Sequence, residues 1–332
     1  MKFAKKIGLF VGAMAISFSA MSEEITIGYQ GIFNPYKKVI DEQLLEKQLD
    51  VTIKWRRFDS GAKAMTALAS GSVDIATAGS SPIAAAVSNG VKAEVFWILE
   101  NIGDAEAMVV RDGSDIMKPS DLKGKTIGVP FVSTTHFHMM FALEQFGIKP
   151  SEVKLLNMQP SAIAAAWRRG DIDAAFIWDP VLGQIKQNGH VLITSKTLSA
   201  WGKPTFDGLV ANKKFAATHK PFLVDFVKII AAVDKEYNDN KDSFTVDSPI
   251  AKSISKVTGG DINTVPGVMA LYEYPTLKAQ SSCAWLGCGA KGGVVSALKA
   301  TSEFLLDQKK ISGLKDDYSV YVNPEYIEAA MK

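Results

Sequence analysis

Hydroxyl side chains cluster in two short segments that follow apolar, strand-like runs of the sequence. They are Ser80, Ser81, Ser133, Thr134 and Thr135. Each segment precedes a predicted helix, and one hydroxyl is enough to cap the free N–H groups at a helix start. Five hydroxyls exceed that need. Because a helix N-terminus also carries unpaired donors and a positive dipole end, the two segments predict a site for a compact anion.

Two carboxylates lie where the chain is predicted to cross between lobes. Glu106 follows the turn at 101–105, and Asp207 follows the segment 201–206. A carboxylate at each crossing is placed to meet an ammonium group across a cleft. Trp178 and Trp201 are candidate apolar walls that add cation–π attraction, with plain core packing as the alternative for each.

Enzyme and metal motifs are missing from the sequence. It contains no G-x-S-x-G and no H-E-x-x-H, and Gly124-Lys125-Thr126 is no phosphate loop because Pro119 replaces that motif's first glycine. His136 is the one plausible base beside the hydroxyls, and a hydrogen-bonding wall residue is the favoured interpretation. His136 and His138 are two residues apart, so a helix points them in different directions. We therefore expect no catalytic residues, no metal site and no cofactor.

Strand-like and helix-like segments alternate along the first two thirds of the chain. The predicted strands are 25–29, 51–58, 73–77, 126–129, 153–156 and 174–177, and the predicted helices are 36–49, 62–70, 136–146 and 161–169. Such alternation favours an α/β fold with doubly wound, largely parallel sheets. Residues 67–76 and 166–175 form a weak internal repeat of helix, glycine and strand. No flexible linker is present, so a second lobe must be an insertion that the chain enters and leaves.

Length and composition exclude several classes of protein. The 332 residues are 47% hydrophobic and 22% charged, which is ordinary for a globular chain and long enough for two domains. The formal net charge of +2 and the lack of a basic stripe give no indication of nucleic-acid binding. No apolar run reaches the ~20 residues of a membrane span.

The N-terminal residues 1–22 have the layout of a secretory signal peptide. Lys2, Lys5 and Lys6 precede an apolar stretch at 7–18, and the small residues Ala20 and Ser22 follow at positions −3 and −1 of a cleavage site. Removing this segment leaves 34 basic and 35 acidic residues, a formal net charge of −1. In an exported protein, the isolated pair Cys283 and Cys288 is predicted to form a disulfide rather than a metal site.

Several motifs resemble one family of bacterial solute-binding proteins. They are F-D-S-G at 58–61, G-S-S-P at 79–82, S-T-T-H at 133–136, a W-R-R-G-D-I-D segment at 167–173 and W-G-K-P-T-F-D at 201–207. The chain resembles the periplasmic binding proteins of ABC importers for alkanesulfonates, nitrate and pyrimidines, and most closely their taurine-binding branch. The region around Cys283 and Cys288 departs from that pattern.

The resemblance implies a bilobal periplasmic-binding-protein fold with two crossovers and a ligand cleft. Lobe 1 would comprise residues 23–104 and 208–332, and lobe 2 residues 105–207. The protein would be a periplasmic monomer that delivers taurine to permease subunits and meets the membrane only through them. The hydroxyls would hold the sulfonate, and Glu106 and Asp207 would hold the ammonium. Trp178 and Trp201 would exclude water from the carbon chain, and one wall would be closed by Tyr29, Gln30 and Phe33.

Two alternatives remain open at this stage. The cleft could bind another small anion, such as an alkanesulfonate or nitrate, without reading an amino group. The same fold could also carry an exported enzyme that hydrolyses sulfur–carbon bonds, with His136 as its base.

Overall fold

A computed structural model describes residues 24–332 of the protein. The predicted signal peptide at 1–22 lies outside these residues. The strands are β1 Glu24–Gln30, β2 Thr52–Phe58, β3 Ile75–Gly79, β4 Ala93–Asn101, β5 Glu106–Arg111, β6 Thr126–Val129, β7 Lys154–Asn157, β8 Ala174–Trp178, β9 Gly189–Thr194 and β10 Phe206–Asn212.

The strands form two separate five-stranded sheets. The first has the order β2-β1-β3-β10-β4, and the second has the order β7-β6-β8-β5-β9. In each sheet the central strands are parallel, as predicted, but β10 and β5 run antiparallel to their neighbours. These two strands follow directly on the passages of the chain from one sheet to the other, so each enters its sheet from the opposite direction.

Helices cover the sheets and form most of the chain after β10. The α-helices are α1 Tyr36–Asp41, α2 Leu44–Leu49, α3 Gly61–Ala69, α4 Ser80–Ser88, α5 Thr134–Gln145, α6 Pro160–Arg169, α7 Val181–Ile185, α8 Ser195–Ala200, α9 Lys213–Thr218, α10 Lys220–Asn240, α11 Pro249–Thr258, α12 Val265–Met269, α13 Leu277–Gln280, α14 Gly293–Asp307 and α15 Glu325–Ala330. Short 3-10 turns lie between them, including Gly103–Ala105 just before β5. Among residues 24–332, no helix is long and apolar enough to span a membrane.

One predicted helix is interrupted. The periodicity of residues 36–49 predicts one amphipathic helix, but the structure ends α1 at Asp41 and begins α2 at Leu44. Gln43 between them has φ 54°, in the left-handed region that an α-helix cannot continue through. The predicted strand 126–129 matches β6, and the other predicted strands and helices occur with ends shifted by one or two residues.

Buried side chains form one large core and one smaller core. The smaller core belongs to the second sheet and includes Met108, Ile127, Val129 and Phe176. The larger core fills the first sheet and its helices and extends to α6 and α7. Cys283 and Cys288 are joined in a disulfide, remote in sequence from both crossings.

Candidate ligand site

The ends of the parallel strands and the starts of β5 and β10 meet along one edge of each sheet. Glu106 begins β5 and pairs with Trp178 at the end of β8. Asp207, near the start of β10, pairs with Gly79 at the end of β3. The antiparallel direction of β5 and β10 therefore brings both carboxyl groups to the edge where ligands bind in α/β sheets.

A narrow cavity of about 10 Å³ lies between the two sheets at these edges. Residues from both sheets line it: Gln30, Ile32, Gly61, Gly79, Pro82, Glu106, Ser133, Thr134, Trp178 and Asp207. Three helices, α3, α4 and α5, begin at this wall with Gly61, Ser80 and Thr134. Their N-termini supply unpaired N–H donors and positive dipole ends to one space.

Buried hydroxyl groups without a hydrogen-bond partner accompany two of these helix starts. The hydroxyls of Ser60, Ser80 and Ser81 are buried and make no hydrogen bond within the described chain. Ser60 directly precedes α3, while Ser80 and Ser81 are the first residues of α4. Burying an unpaired polar group costs about 1–3 kcal/mol. An acceptor-rich ligand at these helix starts would remove that cost.

The start of α5 is already hydrogen-bonded. Ser133 caps the helix by accepting the His136 N–H at 3.1 Å, and its hydroxyl lies 2.7 Å from Thr135 Oγ1. Thr134 Oγ1 donates to Glu106 Oε1 at 2.5 Å. Thr134 thus ties the start of α5 to the carboxyl group of Glu106.

The carboxyl group of Glu106 is buried. Burial and, secondarily, the charge of Asp207 raise its pKa to about 8, while hydrogen bonds that Thr134 and Ser195 donate to the ionised carboxylate oppose the rise. Ser195 Oγ lies 3.2 Å from Glu106 Oε2 and 2.7 Å from Nδ1 of His138. A cation beside Glu106 would restore its ionised form.

Asp207 belongs to a second buried network, on the first sheet. It pairs across the strands with Glu100, and burial raises the pKa of Asp207 to about 7 against the opposing effects of Glu100 and Lys37. The side chain of Asn34 donates to both Glu100 oxygens, at 3.2 and 3.1 Å, and accepts from Lys37 Nζ at 2.8 Å. Burial raises the pKa of Glu100 as well. Glu100 and Asp207 together therefore carry less than two negative charges beside the Lys37 ammonium.

The structure places the predicted site residues in three groups. Gln30, Glu106, Ser133, Thr134, Trp178 and Asp207 line the cavity. Ser80, Ser81 and Thr135 are fully buried beside it, at the starts of α4 and α5, without lining it. Trp201 is 48% exposed, at the end of α8, and does not line the cavity. Trp201 directly follows the last residue of α8, in a turn at 201–202 before β10 begins at Phe206.

The two histidines have different surroundings from those expected of a base. His136 does not line the cavity, because its ring stacks on Phe131 at 4.4 Å and packs edge-on against Phe304. His138, two residues on, points instead toward Ser195 and the carbonyl oxygen of Lys203. The interpretation of His136 as a wall of the anion site is wrong, since α5 turns its side chain toward α14.

Five buried polar residues near the cavity were not predicted from the sequence. They are Asn34, Lys37, Glu100, His138 and Ser195. One signal was available for Lys37, a lysine at the apolar face of α1 between Tyr36 and Val39. The others have no local pattern, since their partners lie between 57 and 89 residues away, except for the contact of Asn34 with Lys37.

Two sheets, joined by two passages of the chain and with a cavity lined by acidic side chains between them, define the class: the chain has the bilobal fold of periplasmic binding proteins. Within that class, the chain belongs to the NMT1/THI5-like family, whose model matches residues 45–240.

Comparison with known proteins supports both the fold and the family. The chain is 36% identical over 328 residues to the taurine-binding periplasmic protein of Escherichia coli, covering 99% of this chain and 100% of that one. This confirms the predicted family, and it favours a binding protein over an enzyme.

Solved structures share the fold. The alkanesulfonate-binding protein SsuA from Xanthomonas axonopodis pv. citri bound to MOPS has a TM-score of 0.73 and 21% identity, covering 91% of this chain and 98% of that one. The aliphatic sulphonate binding protein SsuA from Escherichia coli has a TM-score of 0.70 and 22% identity, covering 89% and 95%. These likenesses confirm the predicted fold class.

Proposed function

We propose that this protein captures taurine in the cavity between its two sheets and delivers it to the permease of an ABC importer. One observation carries the proposal: a single small cavity combines buried carboxyl groups with three helix N-termini. Taurine carries a permanent sulfonate and an ammonium joined by two carbons, so it matches both halves of this cavity. The full-length likeness to a taurine-binding relative agrees with this assignment.

The sulfonate is assigned to the helix starts. Neutral donors suit it because a sulfonate stays ionised and needs several hydrogen bonds rather than a proton. The free N–H groups of α3, α4 and α5 and the unpaired hydroxyls of Ser60, Ser80 and Ser81 provide them. Trp178 and Gln30 on the cavity wall would exclude water from the short carbon chain.

The ammonium is assigned to Glu106 and Asp207. These carboxyl groups are 4% and 6% exposed and come from the two different sheets, so an ammonium between them would link the two halves of the molecule. A sulfonate lacking an amino group would leave both carboxyl groups buried without a cation. That penalty is how the site rejects simple alkanesulfonates.

The remaining features of the proposal concern the whole protein. The protein is exported with loss of residues 1–22, acts in the periplasm as a monomer and contacts the membrane only through the permease. Residues 23–104 and 208–332 form lobe 1, residues 105–207 form lobe 2, and the cleft closes about the two crossings. One crossing contains the 3-10 turn Gly103–Ala105, and the other leads into β10 at Phe206.

Calorimetric titration of residues 23–332 with taurine, ethanesulfonate and β-alanine tests the function. We expect tight binding of taurine, binding of ethanesulfonate at least about 30-fold weaker, and no product by mass spectrometry. The factor follows from the about 2–5 kcal/mol lost when one partner of a buried charge pair is missing. Equal affinity for ethanesulfonate would indicate a general anion site, and turnover of taurine would indicate an enzyme.

The variant Asp207→Asn tests which group reads the ammonium. We expect its affinity for taurine to fall by about 30-fold or more, while its affinity for ethanesulfonate stays within about threefold of the wild type. Asp247→Asn, at a side chain 90% exposed, is the matched control and should change neither. If Asp207→Asn lost affinity for taurine and ethanesulfonate equally, the Asp207 carboxyl group would not be the one that recognises the ammonium.

A further inference from the structure

A chain of three buried side chains leads from the cavity into the second lobe. Ser195 Oγ lies 3.2 Å from Glu106 Oε2 and 2.7 Å from His138 Nδ1, and the far ring nitrogen of His138 lies 2.7 Å from the carbonyl oxygen of Lys203. Glu106, His138 and Ser195 are 4%, 0% and 0% exposed. Water therefore has little access to any of these contacts.

Counting hydrogen atoms restricts the charges of the chain to two possibilities. The Lys203 carbonyl only accepts, so Nε2 of His138 must carry a hydrogen. Ser195 has a single hydroxyl hydrogen. If that hydrogen is donated to Glu106, Nδ1 of His138 must also be protonated, and the chain joins a carboxylate to an imidazolium. If it is donated to Nδ1, Glu106 must itself be protonated and donate to Ser195.

Burial decides between the two possibilities. The first separates two charges in a dry place, with the serine between them, whereas the second keeps every group neutral and every hydrogen bond made. Burial lowers the pKa of His138 to about 4 and raises that of Glu106 to about 8, and both shifts favour the neutral form of the side chain. The neutral arrangement is the stable one near pH 7.

We propose that Ser195 and His138 are positioning residues that keep a proton on Glu106 until the ligand's ammonium group displaces it. Binding of an ammonium ligand is then coupled to the loss of one proton from Glu106. The O–H bond of the Glu106 carboxyl breaks, the proton leaves to solvent, and the ammonium group of the ligand donates to the new carboxylate while Ser195 continues to donate to Nδ1 of His138. This inference rests on the proposed function, because it needs a cationic ligand group at Glu106.

Other charged groups around Glu106 bear on the number of protons released. They are Asp207 on β10, Glu100 on β4, Lys37 on α1, Tyr272 before α13, Asp179 after β8, and the pair Asp104 and Lys196 beside β9. Asp207 titrates near the pH of the experiment and contributes its own protons. The contribution of Glu106 is therefore measured as a difference between variants.

Calorimetry of taurine binding at pH 7 in buffers of different ionisation enthalpy counts the released protons. We expect the wild type to release close to one proton more per taurine than Glu106→Gln. Ser195→Ala and His138→Leu should lose at least half of that difference. His138→Gln should retain most of it, because an amide offers an acceptor and a donor like neutral imidazole. His190→Gln, at an exposed histidine, is the control and should match the wild type.

A second measurement needs no ligand. The carboxyl ¹³C chemical shift of Glu106 should titrate near pH 8 in the wild type and at lower pH in Ser195→Ala. Titration of the wild-type group near 4.5, or equal proton release by wild type and Glu106→Gln, would overturn the proposal. If taurine fails to bind at all, the proposed function is wrong, and the carboxyl titration still decides whether the proton is held.

Discussion

At the scale of single residues, three buried carboxyl groups lie at or beside the cavity, and among residues 24–332 one buried lysine, Lys37, lies near them. Glu100, Glu106 and Asp207 are each at most 6% exposed, and Lys37 is 1% exposed. Burial raises the pKa of all three carboxyl groups, so the folded protein holds protons that the unfolded chain would release at neutral pH. This imbalance is the property that a cationic ligand group would relieve.

The stability of the protein should therefore depend on Glu106 in a pH-dependent way. The folded-state pKa of about 8 exceeds the ordinary value of 4.5, so the stability contributed by this group falls as pH rises through that range. Glu106→Gln removes the effect. We expect the melting temperature of the variant to exceed that of the wild type by a margin that widens from pH 5 to pH 8 and then levels off. Parallel melting profiles would contradict the raised pKa.

Gly79, at the end of β3, lies against Thr134 at the start of α5. A Cβ atom there would lie 2.8 Å from Thr134 Cγ2 and 3.1 Å from Asp207 Oδ1, although its backbone, with φ −71°, suits any residue. Gly79→Ala should weaken taurine binding about 5-fold or more, since overpacking costs about 1–3 kcal/mol and here pushes Thr134 away. Gly267→Ala, in open space on α12, is the control for titration calorimetry. Equal taurine affinities of the wild type and Gly79→Ala would show that Thr134 can move to make room for the added methyl group.

At the scale of elements, the two sheets repeat one local device. Asp74 Oδ2 accepts the N–H of Thr26 and Asp173 Oδ2 accepts the N–H of Thr126, each at 2.8 Å. In both cases the aspartate's own N–H donates back to the threonine carbonyl at 2.8 Å. The aspartate thus fixes the start of one strand against its parallel neighbour, which sets the register that delivers the strand ends to the cavity.

Removing either aspartate should destabilise the fold without affecting the ligand. We expect Asp74→Ala and Asp173→Ala each to lower the free energy of unfolding by about 1.5–3 kcal/mol, the range for a hydrogen bond to a charged group. The two losses should add, because the sites lie in different sheets. Chemical denaturation measures this, with exposed Asp59→Ala as the control expected within about 0.5 kcal/mol of wild type. A loss of taurine affinity exceeding about threefold would contradict a purely structural role.

At the scale of the whole molecule, aromatic contacts join the two halves beside the cavity. Phe304 on α14, which packs on α4, contacts Phe137 on α5 with ring centroids 4.9 Å apart, and His136 at 5.9 Å. Phe131 lies under the Lys310 ammonium at 4.9 Å. These contacts link α14, which packs on α4, to α5 of the other half, so they help to hold the two halves in the arrangement that the structure has.

Phe304→Ala should shift the protein toward a more open form. Each aromatic pair contributes about 0.5–1.5 kcal/mol, so losing two should weaken taurine binding about 5-fold or more. Small-angle scattering should show a larger radius of gyration for the variant than for the wild type. Phe244→Ala is the matched control, because that ring makes a similar contact with Tyr237 within one half of the molecule. Equal radii and affinities for wild type and Phe304→Ala would show that closure does not need this contact.

Features that depend on neighbours along the chain could be predicted from the amino-acid sequence. The alternation of strands and helices, the capping hydroxyl of Ser133 and the repeated helix–glycine–strand unit follow from local periodicity and capping chemistry. Their positions in the structure differ from prediction mainly at element ends, where backbone hydrogen bonds compete with side-chain caps. Motifs along the chain were also enough to identify the family.

How the buried polar groups share their charges depends on contacts between residues that are far apart in the chain. Sheet pairing brings Asp207 to Glu100 and Gly79, and the reversed direction of β5 brings Glu106 to Ser195 and His138. Sequence patterns report the period of an element, not which distant strand will lie beside it. The exposure of Trp201, the burial of Lys37 and the proton shared along the histidine chain all depend on those long-range pairings.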